Sequence, residues 1–218
     1  MSVVIFDVDG TLVDSVKAHA AAWQDTLGEF GFHVPFDAIR QQVGKGSDEL
    51  LKAFLKPEVI EHLKERIANR RVEVFMNNYM KLVRPFPKIR ELVRRLREDG
   101  HKIVLGTSAT SDELQSYLRM IDIDDLVHGH TSADDAEKSK PHPDIFEAAL
   151  SKIKGAKPNE AIVVGDTPYD AEAARRGGMK AVGALTGGFS EQQLREAGCV
   201  AVFADIKDML QRYEELPV

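Results

Sequence analysis

Two aspartates, Asp7 and Asp9, stand two positions apart directly after the apolar stretch Val3–Phe6 near the start of the chain. Four consecutive apolar residues are typical of a buried parallel strand, and Gly10 then permits a tight turn. Two carboxylates this close repel each other unless a positive charge lies between them. The spacing therefore indicates a metal-binding and catalytic site at the tip of a strand.

Two plainer explanations of this Asp-x-Asp-Gly sequence compete with a catalytic site. Asp and Gly are common in an ordinary turn between a strand and a helix, and this stretch alone does not exclude such a turn. An EF-hand calcium loop begins with the same residues, but it follows a helix and ends on Glu. Here a strand is predicted before Asp7, and the corresponding last position is Ala18, which excludes the calcium loop.

Further groups that could bind phosphate or metal follow the later predicted strands. Their position is significant because ligands of an open parallel sheet bind beyond the carboxyl ends of its strands. Carboxylate oxygens suit Mg²⁺, hydroxyls and the N–H groups of a helix start suit phosphate oxygens, and lysine adds a compact positive charge. A carboxylate could then attack phosphorus and form an aspartyl-phosphate. These groups are Thr107 and Ser108 after Lys102–Gly106, Lys140 in a polar loop, and Asp166 and Asp170 after Ala161–Gly165.

The elements that must position these residues follow from the hydrophobic pattern. A helix over Val16–Phe30 and an all-helical stretch to about Arg84 are predicted first, and Pro85 and Pro87 then interrupt the chain. Beyond them, strands alternate with amphipathic helices, which indicates an α/β fold, a Rossmann-like parallel sheet with helices on both faces. The first strand precedes the helical stretch, so that stretch is predicted to be an insertion. The remaining strands are predicted at Leu126–His128, Ala181–Ala184 and Val200–Phe203.

Composition narrows the class of protein. The chain has 218 residues, 43% of them hydrophobic, which suits one medium domain with a smaller inserted one. Its net charge of -6 argues against a nucleic-acid binder. Cys199 is the single cysteine, so no internal disulfide forms, and a buried thiol is expected. We expect no signal peptide, no membrane span, a cytoplasmic location, and a monomer or homodimer, although no sequence feature decides the oligomeric state.

Four motifs in order give the chain its family resemblance. They are D-V-D-G-T at Asp7–Thr11, the hydroxyl residues at Thr107 and Ser108, S-K-P-H-P-D around Lys140, and G-D-T-P-Y-D around Asp166. With them, nearly the whole chain resembles a haloacid dehalogenase (HAD) superfamily phosphatase of the phosphoglycolate phosphatase and β-phosphoglucomutase-like branch. The resemblance implies a HAD core in residues 1–14 and 86–218, and a mobile helical cap domain in residues 15–85.

The resemblance also implies how the reaction is divided among the residues. Asp7 is expected to be the nucleophile, and Asp9 to protonate the leaving oxygen and then to deprotonate water. Thr107 is expected to bind the phosphoryl oxygens, together with Ser108, whose backbone N–H donates to them, and Gly10.

The remaining implied roles concern charge and metal. Lys140 is expected to offset the charge on Asp7 and the phosphate, and Mg²⁺ to be held by Asp7, the backbone carbonyl of Asp9, and Asp166. Asp170 is expected to orient a water molecule or Lys140. As alternatives, Asp166 and Asp170 would simply cap the following helix, and Lys140 would be a solvated loop residue.

The helical insertion offers less specific candidates for contacts with the substrate. Lys45, between two glycines at the start of a helix, is expected to touch the leaving group, or else to be a surface lysine. His19 resembles a histidine of the family's sugar-phosphate enzymes, or else is exposed, and Trp23 is expected in the core. The arginines are expected to form solvated helix faces; they are Arg66, Arg70, Arg71, Arg90, Arg94, Arg95 and Arg97.

The leading functional hypothesis is Mg²⁺-dependent hydrolysis of a small-molecule phosphate monoester. Asp9 argues against dehalogenation, since a departing halide needs no proton and an oxygen leaving group does. A sugar phosphomutase is the alternative, but that branch carries Glu-Asp where this chain has Gly165-Asp166. A third hypothesis, a metabolite-binding relative without activity, is disfavoured because Asp7, Asp9 and Lys140 are all present. Substrate identity depends on the cap, and phosphoglycolate and small sugar phosphates are the default expectations.

Overall fold

A computed structural model describes residues 2–218. Six of its strands form one parallel sheet in the order β5-β4-β1-β6-β7-β8, and β2 and β3 form a separate two-stranded ribbon. This arrangement confirms the predicted parallel sheet. The strands are β1 (Val3–Phe6), β2 (Val13–Asp14), β3 (Arg84–Pro85), β4 (Lys102–Gly106), β5 (His130–Thr131), β6 (Ala161–Gly165), β7 (Lys180–Ala184) and β8 (Cys199–Phe203).

The first strand, β1, lies in the middle of the sheet and aligns the residues that follow its neighbours. All four of its residues are buried, as the apolar sequence predicted. Phe6 is in register with Leu105 of β4 and with Val164 of β6. Because the three strands are parallel, the residues that follow their carboxyl ends emerge at one edge of the sheet.

Helices cover both faces of the sheet. One face packs against α5, α6 and α10, which contribute Leu92, Tyr117 and Met209 to a hydrophobic cluster. The other face packs against α7, α8 and α9 through a second cluster that includes Phe146 and Leu194. The helices, in chain order, are α1 (Val16–Glu29), α2 (Phe36–Arg40), α3 (Ser47–Lys52), α4 (Pro57–Val74), α5 (Ile89–Glu98), α6 (Ser111–Ile121), α7 (Asp144–Ser151), α8 (Pro168–Arg176), α9 (Glu191–Ala197) and α10 (Ile206–Gln211).

The segment from α1 to α4 has its own hydrophobic cluster, separate from the two that flank the sheet. Trp23, Leu27, Leu50 and Ile67 are among its buried residues, which agrees with the expectation that Trp23 is part of a core. A π-helical turn over Phe75–Tyr79 and a 3₁₀ turn over Met80–Leu82 continue α4. We refer to residues 16–82 below as the helical segment.

The ribbon of β2 and β3 was not predicted. Val13 pairs with Pro85 and Asp14 with Arg84, in antiparallel register, whereas the sequence up to Arg84 was interpreted as helical without a strand. Strands of two residues carry no alternation that could indicate them. The ribbon brings the start and the end of the helical segment together.

The strand predicted at Leu126–His128 is wrong in position. The strand at that edge is β5, and its His130 pairs with Leu105 of β4. Leu126 and Val127 instead follow a turn, in which both of their N–H groups donate to the carbonyl of Ile123. Their apolar side chains pack on the core from this turn, so the hydrophobic signal was real but did not mark a strand.

Local residues mark the bounds of two later helices. Helix α8 begins at Pro168, and α10 ends at Gln211, with Tyr213 in a 3₁₀ turn beyond it. Proline is favoured in the first turn of a helix, which explains the start of α8 at Pro168. Across residues 2–218, the structure contains no helix with the length and apolarity needed to cross a bilayer.

Candidate active site

A pocket lies where the carboxyl edge of the sheet meets the helical segment. Its lining contains residues from both sides. Of the predicted site residues, the lining includes Asp7, Asp9, His19, Lys45, Thr107, Ser108 and Lys140. Gly10, Asp166 and Asp170 lie next to it, in contact with these residues or with one another.

Lys140 is the centre of the charged network. Its side chain is 1% exposed, and Nζ donates to Oδ1 of Asp7 at 2.7 Å and to Oδ1 of Asp170 at 2.8 Å. Burial opposes the charged amine, but the carboxylates of Asp170 and Asp7 outweigh it and raise the pKa of Lys140 above its usual range. The alternative of a solvated loop lysine is therefore wrong. The Lys140–Pro141 peptide bond is cis.

Three buried carboxylates, those of Asp7, Asp166 and Asp170, gather at the strand tips with oxygens within 4.8 Å of one another. Burial raises the pKa of Asp7 to about 7; Lys140 opposes this effect and Asp170 adds to it. Burial, with the charges of Asp170 and Asp7, also raises the pKa of Asp166 well above its usual value. One lysine among three carboxylates leaves this cluster short of positive charge.

The carboxylate of Asp166 is the least satisfied member of this cluster. Its Oδ1 accepts a hydrogen bond from the Thr11 hydroxyl at 3.0 Å. Its Oδ2 is buried and has no hydrogen-bond partner among residues 2–218. A buried carboxylate oxygen without a donor is costly, and a hard cation is a suitable partner for it. The donor set therefore fits a divalent metal.

Asp170 contacts Lys140 and also caps the helix that follows. Its Oδ2 accepts from the backbone N–H of Thr167 at 3.0 Å and from the Thr167 hydroxyl at 2.6 Å. Thr167 in turn caps α8 through a reciprocal bond from the Asp170 N–H. The capping alternative thus describes Asp170 as well, while its other carboxylate oxygen orients Lys140. Asp166 forms no such cap among the described hydrogen bonds of α8.

The Asp9 carboxylate is held by Ser15, which immediately precedes the helical segment, and by His19 within that segment. Its Oδ1 accepts from the Ser15 hydroxyl at 2.7 Å and lies 2.7 Å from Nε2 of His19. Burial would raise the pKa of Asp9, but the charge of His19 and hydrogen bonds from His19, Ser15 and Tyr117 outweigh it. Together they lower the pKa of Asp9 to about 2. Asp9 is therefore an ionised carboxylate in this arrangement.

His19 is buried, so the alternative of an exposed residue is wrong. Its ring stacks on Phe75 at 3.9 Å, and Nε2 lies 3.0 Å from the Tyr117 hydroxyl. The contact of His19 with Tyr117 of α6 was not predicted from the sequence. Residues 98 positions apart leave no local pattern that could have revealed it.

The predicted phosphate-binding residues lie between β4 and α6 and in the turn after β1. The Thr107 side chain is buried, and its Oγ1 accepts the N–H of Ala109 at 3.1 Å. Gly10 has a φ of +76°, and a Cβ there would stand 2.1 Å from Oδ2 of Asp166. Only glycine fits this turn, because any side chain would strain the backbone and displace the Asp166 carboxylate.

Lys45 and Arg71 bring positive charge to the pocket from the helical segment. The Lys45 Nζ donates to Oε1 of Gln42 at 2.7 Å and lies 4.4 Å from the centre of the Tyr169 ring. Lys45 lines the pocket and is half-buried, and this burial lowers its pKa.

The prediction that Arg71 belongs to a solvated helix face is wrong. Arg71 is buried, lines the pocket, and its Nη1 donates to Oε1 of Glu113 on α6. The sequence did contain a signal, since Ile67, Arg71 and Val74 form the buried stripe of α4 at helical spacing. By contrast, the exposed arginines of the same group pair with surface carboxylates, such as Arg70 with Glu29 and Arg90 with Asp125.

Comparison with known proteins is consistent with this geometry. Residues 4–184 match the family model described as haloacid dehalogenase-like hydrolase. A phosphoglycolate phosphatase of Aquifex aeolicus (strain VF5) is 31% identical over 192 residues, which cover 86% of each chain. The pyrophosphatase PpaX of Halalkalibacterium halodurans is 29% identical over 83% of this chain and 81% of its own.

A solved structure resembles the whole chain, including the helical segment. The crystal structure of a hydrolase from Pseudomonas syringae has a TM-score of 0.91 and 31% sequence identity, and the match covers 99% of this chain and 98% of that one. The family match spans both the strand tips that carry the carboxylates and the helices above them. This chain therefore belongs to the haloacid dehalogenase-like hydrolase family.

Proposed function

We propose that this chain is a Mg²⁺-dependent phosphatase that hydrolyses a small-molecule phosphate monoester through an aspartyl-phosphate on Asp7. One observation carries the proposal: Lys140 joins Asp7 to Asp170, and Asp166 stands beside them with an unpaired oxygen. Phosphoryl transfer requires a nucleophile and positive charge close to it. Here Asp7 is the nucleophile, Lys140 is a fixed cation, and Asp166 can bind a metal ion at the same edge of the sheet. The relatives named as phosphatases support the same reaction class.

Asp7, Asp166 and the backbone carbonyl of Asp9 would hold the Mg²⁺ ion, and the rest of its ligands would be water and substrate. All of these donors are oxygens, which Mg²⁺ prefers. When bound, the ion supplies positive charge that stabilises the negative charge developing on the transferred phosphoryl group. The unpaired Oδ2 of Asp166 is the feature of this chain that best fits such an ion.

In the first step, a carboxylate oxygen of Asp7 attacks phosphorus while the bond from phosphorus to the leaving oxygen breaks. Lys140, fixed by Asp170 at 2.8 Å, offsets the negative charge that gathers on Asp7 and the phosphate. The hydroxyl of Thr107 and the N–H of Ser108 hold phosphoryl oxygens beside Gly10, where no side chain fills the turn. Asp9 gives its proton to the departing alcohol oxygen.

In the second step, water attacks phosphorus, Asp9 takes a proton from that water, and the bond to Asp7 breaks to release inorganic phosphate. The pKa of about 2 makes Asp9 the carboxylate that this step requires. The first step requires its protonated form. The negative charge of an arriving phosphate ester favours that form, because a nearby like charge raises the pKa of a carboxyl group.

We further propose that residues 15–85 act as a cap over a core made of residues 1–14 and 86–218. The ribbon of Val13–Asp14 and Arg84–Pro85 is a suitable hinge, since it is the paired connection between the two parts. His19, Lys45 and Arg71 reach the pocket from the cap side, so movement of the cap would assemble or open the substrate site.

A sugar phosphomutase is less well supported than a phosphatase. The mutase branch has an acidic residue where this chain has Gly165. A Cβ at that position would stand 2.5 Å from Cβ of Asp170, which leaves no room for an acidic side chain unless Asp170 moves. Incubation with β-glucose 1-phosphate and its bisphosphate primer separates the two activities, because a mutase yields glucose 6-phosphate and a hydrolase yields free phosphate.

The test of the proposed function is phosphate release from a panel of phosphorylated metabolites, with Mg²⁺ and with a chelator. We expect release from at least one monoester, its loss with chelator, its return with added Mg²⁺, and none from the Asp7→Asn variant. Arg70→Lys, an exposed change on α4, is the matched control and should retain full activity. Equal release with and without chelator, or from Asp7→Asn, would refute the mechanism.

A further inference from the structure

Arg71 is the buried cation of the pocket that the proposed reaction does not use. It lies on α4, is 8% exposed, and lines the pocket together with Asp7, Asp9 and Lys140. It touches none of the carboxylates assigned to phosphoryl transfer. Its function must therefore be sought in its contacts with the rest of the pocket.

One corner of the Arg71 guanidinium is fixed by α6. Nη1 donates to Oε1 of Glu113, whose Oε2 in turn accepts the Thr110 N–H at 2.9 Å and the Thr110 hydroxyl at 3.0 Å. The guanidinium carbon lies 5.4 Å from the centre of the Trp23 ring. These contacts hold the planar group in one orientation.

The opposite edge of the same guanidinium has no acceptor. Nε is buried and forms no hydrogen bond with any part of residues 2–218, and Nη1 supplies the one hydrogen bond that the group donates within that range. Buried N–H groups without an acceptor are rare in folded proteins. The Nε–Nη2 edge is the side on which arginine binds two oxygens of one planar anion through parallel hydrogen bonds.

We infer that Arg71 binds a carboxylate of the substrate, so that the substrate class is a phosphate monoester whose alcohol part carries a carboxylate. This inference rests on the proposed phosphatase function and names the substrate of that same pocket. Arg71 is then a specificity-determining residue, remote from the bonds that break and form.

The charges around the outer part of the pocket favour a single negative charge on that group. Apart from the groups assigned to the phosphate and the pair of His19 with Asp9, the lining contains Lys45 and Arg71, both positive, and Glu113, which is negative. Their sum is one positive charge, which one carboxylate balances. A neutral sugar could accept the Nε–H through a hydroxyl but would leave the positive charge unbalanced, and a second phosphate would bring an excess of negative charge.

Two small esters test the inference directly. 2-Phosphoglycolate and 2-hydroxyethyl phosphate have the same two-carbon skeleton. The first carries a carboxylate where the second carries a hydroxymethyl group. We expect the wild type to favour 2-phosphoglycolate at least about tenfold in kcat/KM, the range of one charge-assisted contact. Arg71→Lys should lower this preference about 10- to 100-fold, mainly through KM, because the contact is remote from the reacting bonds.

Arg70→Lys is the matched control, since it makes the same change on the neighbouring residue, whose guanidinium pairs with Glu29 and Glu73 on the outer side. It should leave the preference within about twofold of the wild type. If Arg71→Lys slows both esters equally, Arg71 is structural and the inference is wrong. A wild-type preference near one overturns the inference without any variant, which covers the case in which Arg71→Lys does not fold.

Binding separates failure of this inference from failure of the proposed function. Calorimetry with Asp7→Asn and with Asp7→Asn/Arg71→Lys gives the affinity for both esters without turnover. One outcome would support the role of Arg71 and contradict the phosphatase function. In that outcome the wild type hydrolyses neither ester, Asp7→Asn binds 2-phosphoglycolate more tightly than 2-hydroxyethyl phosphate, and Asp7→Asn/Arg71→Lys binds both equally. Equal preference in the two variants overturns the role of Arg71.

Discussion

Replacement of Lys140 by methionine removes the positive charge between Asp7 and Asp170 and keeps most of the side-chain volume. Both carboxylates are then buried without a cation, 3% exposed each, beside a third carboxylate at Asp166. Removal of one partner from a buried ion pair typically costs about 3–5 kcal/mol in free energy of unfolding, because the remaining charge is uncompensated. For a chain of this size, that loss corresponds to about 6–20 °C in Tm.

The loss of stability should depend on pH in a definite direction. The pKa of Asp7 is raised from 3.8 to about 7, so the folded state binds more protons than the unfolded state between these values, and stability falls as pH rises through that window. Without Lys140 the pKa of Asp7 rises further, and the fall continues above pH 7. The curves of wild type and Lys140→Met should therefore diverge more at pH 8.5 than at pH 6.

The assay is urea unfolding with a chelator present, followed by circular dichroism at both pH values. Lys152→Met is the matched control, since Lys152 pairs with Asp135 at 3.6 Å on the surface and both side chains are about 40% exposed. Such a pair contributes roughly 0–1 kcal/mol. A loss in Lys140→Met below about 1 kcal/mol at pH 8.5, equal to that of the control, would refute the assignment of Lys140 as the compensating charge.

Three further changes test the neighbouring residues. Asp9→Asn should lower kcat for an alkyl phosphate by about 10²- to 10⁴-fold and less for p-nitrophenyl phosphate, whose leaving group needs no proton; full turnover of both would contradict the acid–base role. His19→Gln should raise the pKa of Asp9 from about 2 towards 3.8. The acid limb of the pH–rate profile should therefore shift to higher pH by about one to two units. An unchanged acid limb would contradict the proposed effect of His19 on Asp9. Gly10→Ala should lower the free energy of unfolding by about 1–3 kcal/mol and remove most activity, because the added Cβ would clash with Asp166. Gly31→Ala is the control, since Gly31 has a similar φ of +83° and a Cβ there would have nothing within 4 Å. An equal loss of stability in both variants would exclude the clash as the cause.

The sequence was sufficient to predict which residues meet at the carboxyl edge of the sheet, because parallel strands obey a simple rule. Asp7, Thr107 and Asp166 each follow a short apolar run, and the carboxyl ends of such runs meet at one edge. Lys140 lies in a loop, and only the motif around it indicated its place. The charge of its two partners, rather than any local pattern, brings it into the core.

The contacts between the helical segment and the sheet could not be predicted in the same way. His19 with Tyr117 and Arg71 with Glu113 are pairs far apart in sequence, and each member has an ordinary local explanation. Tyr117 fits an apolar helix face, and Glu113 completes the cap of α6 with Thr110. Only the contacts of α1 and α4 with α6 reveal that these residues meet at the pocket. The buried position of Arg71 within the stripe of α4 was the one available clue.

The ribbon of β2 and β3 has a consequence for how such a protein can change over time. Because Val13 and Pro85 are paired neighbours, everything between them departs from and returns to one point of the ribbon. An insert with adjacent ends places no demand on its own length, and lengthening it costs little in loop-closure free energy. The register that aligns Asp7 with its partners is therefore independent of the insert. Under the proposed cap role, exchange of that one segment would alter which molecules are accepted and leave Asp7, Lys140 and Asp166 in place, whereas Asp9 would lose its contact with His19.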